Sequence, residues 1–231
     1  KLKHAPVGLF IVQGGPKGHD ELLCIISSHF PGKFTSRPSK GFWMPNPYSE
    51  FLRPDDCLLL LVDIQAVMLD PCDEASRLRK NAAALLDIAR IFEIPVIFTT
   101  HNAEKLGGFL PELTEKVQRP IVLNKQEFSC FENEGMAETV MAAERRTLLV
   151  AGLETHVCIF HTAAHAIRLG YRVHVAADAV ASRGRFNWEI GLRRLEKGGA
   201  VISSTEMMIF ELLNRAGTSQ FRAALPLLKS L

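Results

Sequence analysis

At 231 residues, 47% hydrophobic and 23% charged, the chain is long enough for one sizeable α/β domain and ordinary in composition for a globular protein. No apolar run approaches the ~20 residues that cross a bilayer, and no secretory leader pattern is present, so neither a membrane span nor export is expected. The net charge of +2 is uneven: residues 1–43 carry six Lys and Arg against two Asp and Glu, while the rest carries 21 against 23, which leaves the body without a nucleic-acid footprint.

Five Cys stand at 24, 57, 72, 130 and 158. They share no metal-binding spacing and are odd in number, so a reducing, cytoplasmic setting is expected rather than a disulfide framework. Residues 1–43 hold six Gly and four Pro in short, broken apolar clusters. They are expected to lie outside the domain, as upstream translated sequence, a cloning remnant or a poorly ordered arm. Met44 is read as a plausible native start, with one domain over 44–231. "GGPKG" lacks the Lys-Ser/Thr pair of a phosphate loop and is read as a turn.

From residue 57 the pattern alternates. "CLLLLVD" (57–63) is a buried strand, and 73–93 is a helix with Leu78, Ala82, Leu85, Ala89 and Phe92 on one face. "PVIFTT" (95–100) is a strand, followed by a loop with a short helix and then the strand "IVLN" (121–124). A helix over 132–144 leads to "TLLVAG" (147–152), a helix over 155–169 and "YRVHVAA" (171–177). A helix over 187–197, the strand "AVISS" (200–204) and two tail helices complete the chain. Strand–helix alternation with continuous apolar strands predicts a three-layer α/β/α domain around six parallel strands, of the doubly wound Rossmann type. "MMIF" in the tail is apolar nearly all round, which predicts burial against its own domain and a neighbouring subunit, hence a homo-oligomer.

In an open parallel sheet the ligand crevice lies beyond the carboxyl ends of the strands. Asp63 ends the first strand, Lys125 follows the third, and Cys158 opens the helix after the fourth. A helix N-terminus and an ammonium favour thiolate, so the expectation is a Cys158 ionised by its surroundings, with Thr155 as the N-cap. Asp63 would take the thiol proton and return it to a leaving amine, and Lys125 would hold the two in register. Taken singly, each has an ordinary reading: a buried thiol, a turn-forming Asp, a solvated Lys. Their convergence on one sheet edge carries the argument.

"LLLLVDIQ", "NKQEFSCF" and "AGLETHVCIFHTAAHAIRLGYRVHVAADAVASR" resemble the three signature segments of the isochorismatase-like cysteine hydrolases, in the family's order and over about residues 52–231. "GLETHVC", "ADAVASR" and the "PEL" after the second strand resemble the isochorismatase domain-containing protein branch. The resemblance implies a catalytic triad of Asp63, Lys125 and Cys158. It also implies a non-proline cis peptide at Leu153–Glu154, with the backbone N–H groups of Glu154 and Cys158 as an oxyanion hole.

The departures are informative. Nicotinamidases of this family hold a metal with an Asp and two His after the second strand. Here the loop "TTHNAEKLGGF" has His101 alone, so no metal and no cofactor are expected. His101 is read as lining the pocket or lying on the surface. His161 and His165, four apart on a helix, lack the Glu of a zinc hydrolase. Phe128 and Phe131 either wall the pocket or pack beneath the loop, and Ser129 would add a hydroxyl. Gln65 touches substrate or serves structure. Arg183 is a site-rim candidate.

The function implied is hydrolysis of a C–N bond in a small amide through a thioester on Cys158, with a small molecule as substrate. A catalytically silent binding or scaffold protein of the same fold is the alternative. A redox-responsive thiol would require Cys130 as its resolving partner.

Overall fold

The run "CLLLLV" forms β1 (Cys57–Val62), and all six residues are buried. Successive strand side chains point to opposite faces, so a strand can be apolar throughout only where both faces are covered. Cys57, Leu59 and Leu61 accordingly enter one hydrophobic core, while Leu58, Leu60 and Val62 enter a second. This is a computed structural model and describes residues 51–231; the segment 1–43, expected outside the domain, lies outside the described residues.

The remaining elements follow in alternation. After α1 (Ala66–Leu69) and α2 (Ala75–Ile91) comes β2 (Val96–His101), then α3 (Ala103–Leu106), α4 (Pro111–Thr114) and β3 (Ile121–Lys125). They continue through α5 (Glu134–Ala142), β4 (Thr147–Leu153), α6 (Phe160–Arg168), β5 (Arg172–Ala181), α7 (Arg185–Lys197) and β6 (Val201–Ser203) to α8 (Thr205–Leu213) and α9 (Ser219–Leu228). The described strands form one six-stranded sheet, parallel throughout, in the order β3-β2-β1-β4-β5-β6. Helices α2, α8 and α9 cover the first core through residues such as Leu78, Leu85, Ile209 and Ala224. The second is covered by α5, α6 and α7 through Met136, Val140, Ala163 and Leu195. The three-layer, doubly wound architecture expected from the alternation is the one observed.

The strand order reverses between β1 and β4, the place where a doubly wound sheet opens a crevice at its carboxyl edge. The two strands approach closely there. Gly152 pairs with Val62 at φ +128°, and a Cβ on it would meet the Val62 carbonyl oxygen at 1.9 Å. Only glycine fits a backbone so turned and so crowded.

Two local expectations fail. The chain after β4 does not begin as an α-helix: Thr155–Ile159 is a single π-helical turn, and α6 starts at Phe160. Thr155 is not its cap. Its Oγ1 donates to the Ala181 carbonyl (3.0 Å), and the cap position is Glu154, which makes no side-chain cap bond. The fifth strand also runs past residue 177 to Ala181, through a register shift against β4 between Val150 and Gly152. Asp178, which looks like a strand end in the sequence, instead accepts from the Thr205 N–H (2.8 Å) and Oγ1 (2.9 Å) at the start of α8.

Candidate active site

Asp63 follows β1 directly and turns the chain with φ +54°, a left-handed conformation that Asp tolerates better than most residues. Its N–H donates to the Thr99 carbonyl of β2 (2.9 Å), which holds the turn in place. The carboxylate is fully buried. Oδ1 accepts from Thr99 Oγ1 (2.7 Å), and Oδ2 pairs with Lys125 Nζ (2.5 Å). Lys125 ends β3 and, like Asp63, has no exposed side-chain surface. Burial works against its charge, but the Asp63 carboxylate, together with the Cys158 and Cys130 sulfurs, holds its pKa above the ordinary lysine value.

Cys158 sits in the π-helical turn after β4, only 3% exposed. Its sulfur, a carboxylate oxygen of Asp63 and a ring nitrogen of His101 all lie within 4.8 Å of one another. Three chain segments, from β1, β2 and β4, thus meet at the switch point. Against the expectation of a thiol ionised by its surroundings, burial, reinforced by the Asp63 carboxylate, pushes the Cys158 pKa up, and Lys125 only partly opposes this. The setting thus favours the thiol form, beside a buried carboxylate. Cys130 lies near the same charges, and burial pushes its thiol up to about 11. Both cysteines are unpaired.

The turn that carries Cys158 is tied down from several sides. The Leu153–Glu154 peptide is cis. The buried Glu154 carboxylate accepts from Arg183 through the backbone N–H (3.1 Å) and Nε (2.9 Å). Arg183, placed at the rim by the sequence, thus meets the site through Glu154. His156 Nδ1 and Ser182 Oγ are 3.0 Å apart.

The five pocket candidates separate. His101 ends β2, and its ring stacks on Phe128 with centroids 5.6 Å apart and planes 22° off parallel. Phe128 is 49% exposed and also lies 5.7 Å from His161, so these aromatics stand at the surface beside the site. Gln65 does not present its amide to a pocket. It is wholly buried, its Oε1 accepts from the His101 N–H (2.7 Å), and its Nε2 donates to the carbonyls of His101 (3.1 Å) and Gly107 (2.6 Å). Ser129 is likewise spent, accepting from the Phe131 N–H (3.2 Å) and pairing with His165 Nδ1 (3.2 Å). Phe131 is buried against His165 and Tyr171, because the short helical turn at Cys130–Glu132 points it into the second core.

Thr99 is the site residue that sequence reasoning missed. "FTT" at a strand end offers two hydroxyls, and only the pairing of β1 with β2 selects the one that faces Asp63. Among the described residues, Asp63, His101 and Cys158 are the set whose donor atoms converge as a metal would require. The Lys125 ammonium and Thr99 hydroxyl already engage both Asp63 oxygens, which disfavours a cation there. His161 and His165 join no such set among the described residues: Nδ1 of His161 faces the Val157 carbonyl (2.8 Å), and that of His165 faces Ser129.

Comparison with known proteins bears on the family and the fold. The chain is 32% identical over 176 residues to isochorismatase domain-containing protein 2B of Mus musculus, across 76% of this chain and 82% of the relative. It is 30% identical over 182 residues to the secreted isochorismatase effector Isc1 of Phytophthora sojae, across 77% and 87%. Among solved structures, the MAR1 ribonuclease of Caenorhabditis elegans matches with a TM-score of 0.73 at 25% identity, across 78% of this chain and 92% of that one. YcaC of Pseudomonas aeruginosa, solved with hexane-2,5-diol and covalent acrylamide, gives 0.71 at 27%, across 79% and 97%. YcaC of Escherichia coli, described as an octameric hydrolase of unknown specificity, gives 0.71 at 26%, across 78% and 93%. The isochorismatase domain family matches residues 57–207, and the chain belongs to that family of hydrolase folds, alongside the isochorismatase domain-containing proteins.

Proposed function

We propose that the protein is a cysteine hydrolase that cleaves the C–N bond of a small amide. The supporting observation is the Cys158 sulfur within 4.8 Å of a buried Asp63 carboxylate that is itself paired with Lys125. Asp63 takes the thiol proton as sulfur attacks the carbonyl carbon, so the charged thiolate never has to persist in a buried site. The backbone N–H groups of Glu154 and Cys158 receive the developing oxyanion. The same proton passes from Asp63 to the amine as the C–N bond breaks, leaving a thioester that water hydrolyses. Lys125 keeps the Asp63 carboxylate oriented throughout, and the reaction calls on no cofactor.

The P. aeruginosa neighbour solved with covalent acrylamide supports a reactive nucleophile in this fold. A panel of primary and secondary amides, read by ammonia or amine release, tests the reading. Turnover is expected to vanish in Cys158→Ala while the melting temperature stays within a few degrees of wild type. Retained turnover in that variant, or cleavage of RNA (the activity in one neighbour's name) with no release from any amide, would overturn it. Failure of every substrate class would favour the silent binding protein.

We also infer that the protein works in the cytoplasm, where a free nucleophilic thiol stays reduced, and that it self-associates. Cys57, Cys72, Cys130 and Cys158 are all unpaired, and the E. coli neighbour is described as octameric.

A further inference from the structure

His101 has a fixed backbone, a stacked ring and one unused polar atom. Gln65 binds its N–H and its carbonyl together, and Phe128 covers its ring. Its Nδ1 is buried and has no hydrogen-bond partner among the described residues. Orphaned buried nitrogens are uncommon, and one on a ring beside a nucleophile asks for an explanation. A ring nitrogen of His101 lies within 4.8 Å of both the Cys158 sulfur and an Asp63 oxygen. Three atoms each within 4.8 Å of the others are close enough to contact one water oxygen placed between them. A water at that point would face the imidazole as well as the Asp63 carboxylate, whose oxygens are each already held by Thr99 or Lys125.

We propose that His101 is the general base of the second half-reaction, deacylation of the thioester on Cys158. This rests on the cysteine-hydrolase reading above. After the amine has left, Asp63 is again a carboxylate, having passed on the thiol proton. Water then attacks the thioester carbonyl carbon: its oxygen forms the new C–O bond, and its proton goes to a ring nitrogen of His101. Collapse of the tetrahedral adduct breaks the C–S bond and expels the Cys158 sulfur with the electron pair. The imidazolium returns its proton to that sulfur, which restores the thiol and releases the carboxylic acid. Thioester and water become acid and thiol, with no other reactant. His101 is then a catalytic residue of one step only.

The test uses 4-nitrophenyl acetate as acyl donor, with the nitrophenolate burst reporting acylation and intact mass reporting the acetylated protein. In wild type a burst at Cys158 is followed by turnover. In His101→Asn and His101→Gln, the burst is expected to persist at about one equivalent per site. The following turnover falls at least about 100-fold, the usual lower bound for losing a general base, and the acetyl adduct accumulates. Hydroxylamine, which needs little help as a nucleophile, is expected to clear that adduct in both variants. Two substitutions are compared so that a folding defect in one, seen in its melting curve, leaves the other to decide. Variants that acetylate and turn over like wild type overturn the assignment, as do variants whose burst and turnover fall by the same factor. If wild type gives no Cys158 adduct, or Cys158→Ala keeps the burst, the nucleophile reading fails instead, and the two failures are distinguishable.

Discussion

Lys125 and Asp63 are two charges with no exposed side-chain surface, and their separation of 2.5 Å makes each the main compensation for the other. Removing both ions from water costs several kcal/mol each, so the pair adds little net stability while intact; breaking it is another matter. Lys125→Met is expected to cost about 3–5 kcal/mol in urea unfolding, because it leaves a buried carboxylate with only the Thr99 hydroxyl. The double variant Asp63→Asn, Lys125→Met should cost much less than the two single losses added. Additive losses would mean that the two side chains do not stabilise one another. At this scale the sequence was partly legible. That Asp63, Lys125 and Cys158 share one sheet edge was legible because strand ends can be read from apolar runs. The roles of Thr99 and Gln65 were not, since both depend on which strands pair. The upward push on the Cys158 pKa was not legible, because motif logic counts the nearby ammonium but cannot count burial, the larger effect.

The elements were legible where one physical signal dominated. β1 is six apolar residues, and α2 buries Leu78, Ala82, Leu85 and Ala89, the stripe its spacing predicts. Legibility failed where a polar residue served a distant partner, as Asp178 serves the start of α8 from within β5. The π-helical turn was also hidden, because its spacing differs from an α-helix by a single residue over one turn. β5 carries a further feature of this kind, His174, which pairs across to Leu149 of β4 and Val201 of β6 and is 5% exposed. Its Nδ1 has no partner among the described residues, and burial, helped by Arg172, lowers its pKa from 6.5 to about 4. The folded chain thus keeps His174 neutral to about pH 4, while the unfolded chain takes up the proton near pH 6.5. Nothing is lost above the higher value; as pH falls between the two, proton uptake favours the unfolded state, and the loss levels off below the lower one. Between pH 7.5 and 5, wild type should lose on the order of 2 kcal/mol more than His174→Gln, measured by urea unfolding at each pH. Parallel curves for the two proteins would place the buried neutral state of His174 in doubt.

At the scale of the molecule, the outer surface of α8 gathers exposed apolar side chains among the described residues. Met207 is 58% exposed and Phe210 48%, with Phe51 at 73% beside them. Together with Glu206, Glu211 and Asn214 they line one groove, an apolar floor with carboxylates at its margin. The opposite side of the same helix, Met208, Ile209, Leu212 and Leu213, is buried in the first core. The helix is therefore apolar on both sides, and the tail pattern from which self-association was expected is accounted for on its inner side alone. The self-association proposed above would seat a second copy on the outer side, since an exposed apolar patch is the usual basis of a symmetric contact. Met207→Glu with Phe210→Glu should cut the sedimenting mass to a smaller species, because four carboxylates per face would oppose each other across the contact. The double variant should melt close to wild type at low protein concentration, where association contributes little. An unchanged mass would assign the assembly to another surface, and a monomeric wild type would leave this face without the second copy it is argued to meet.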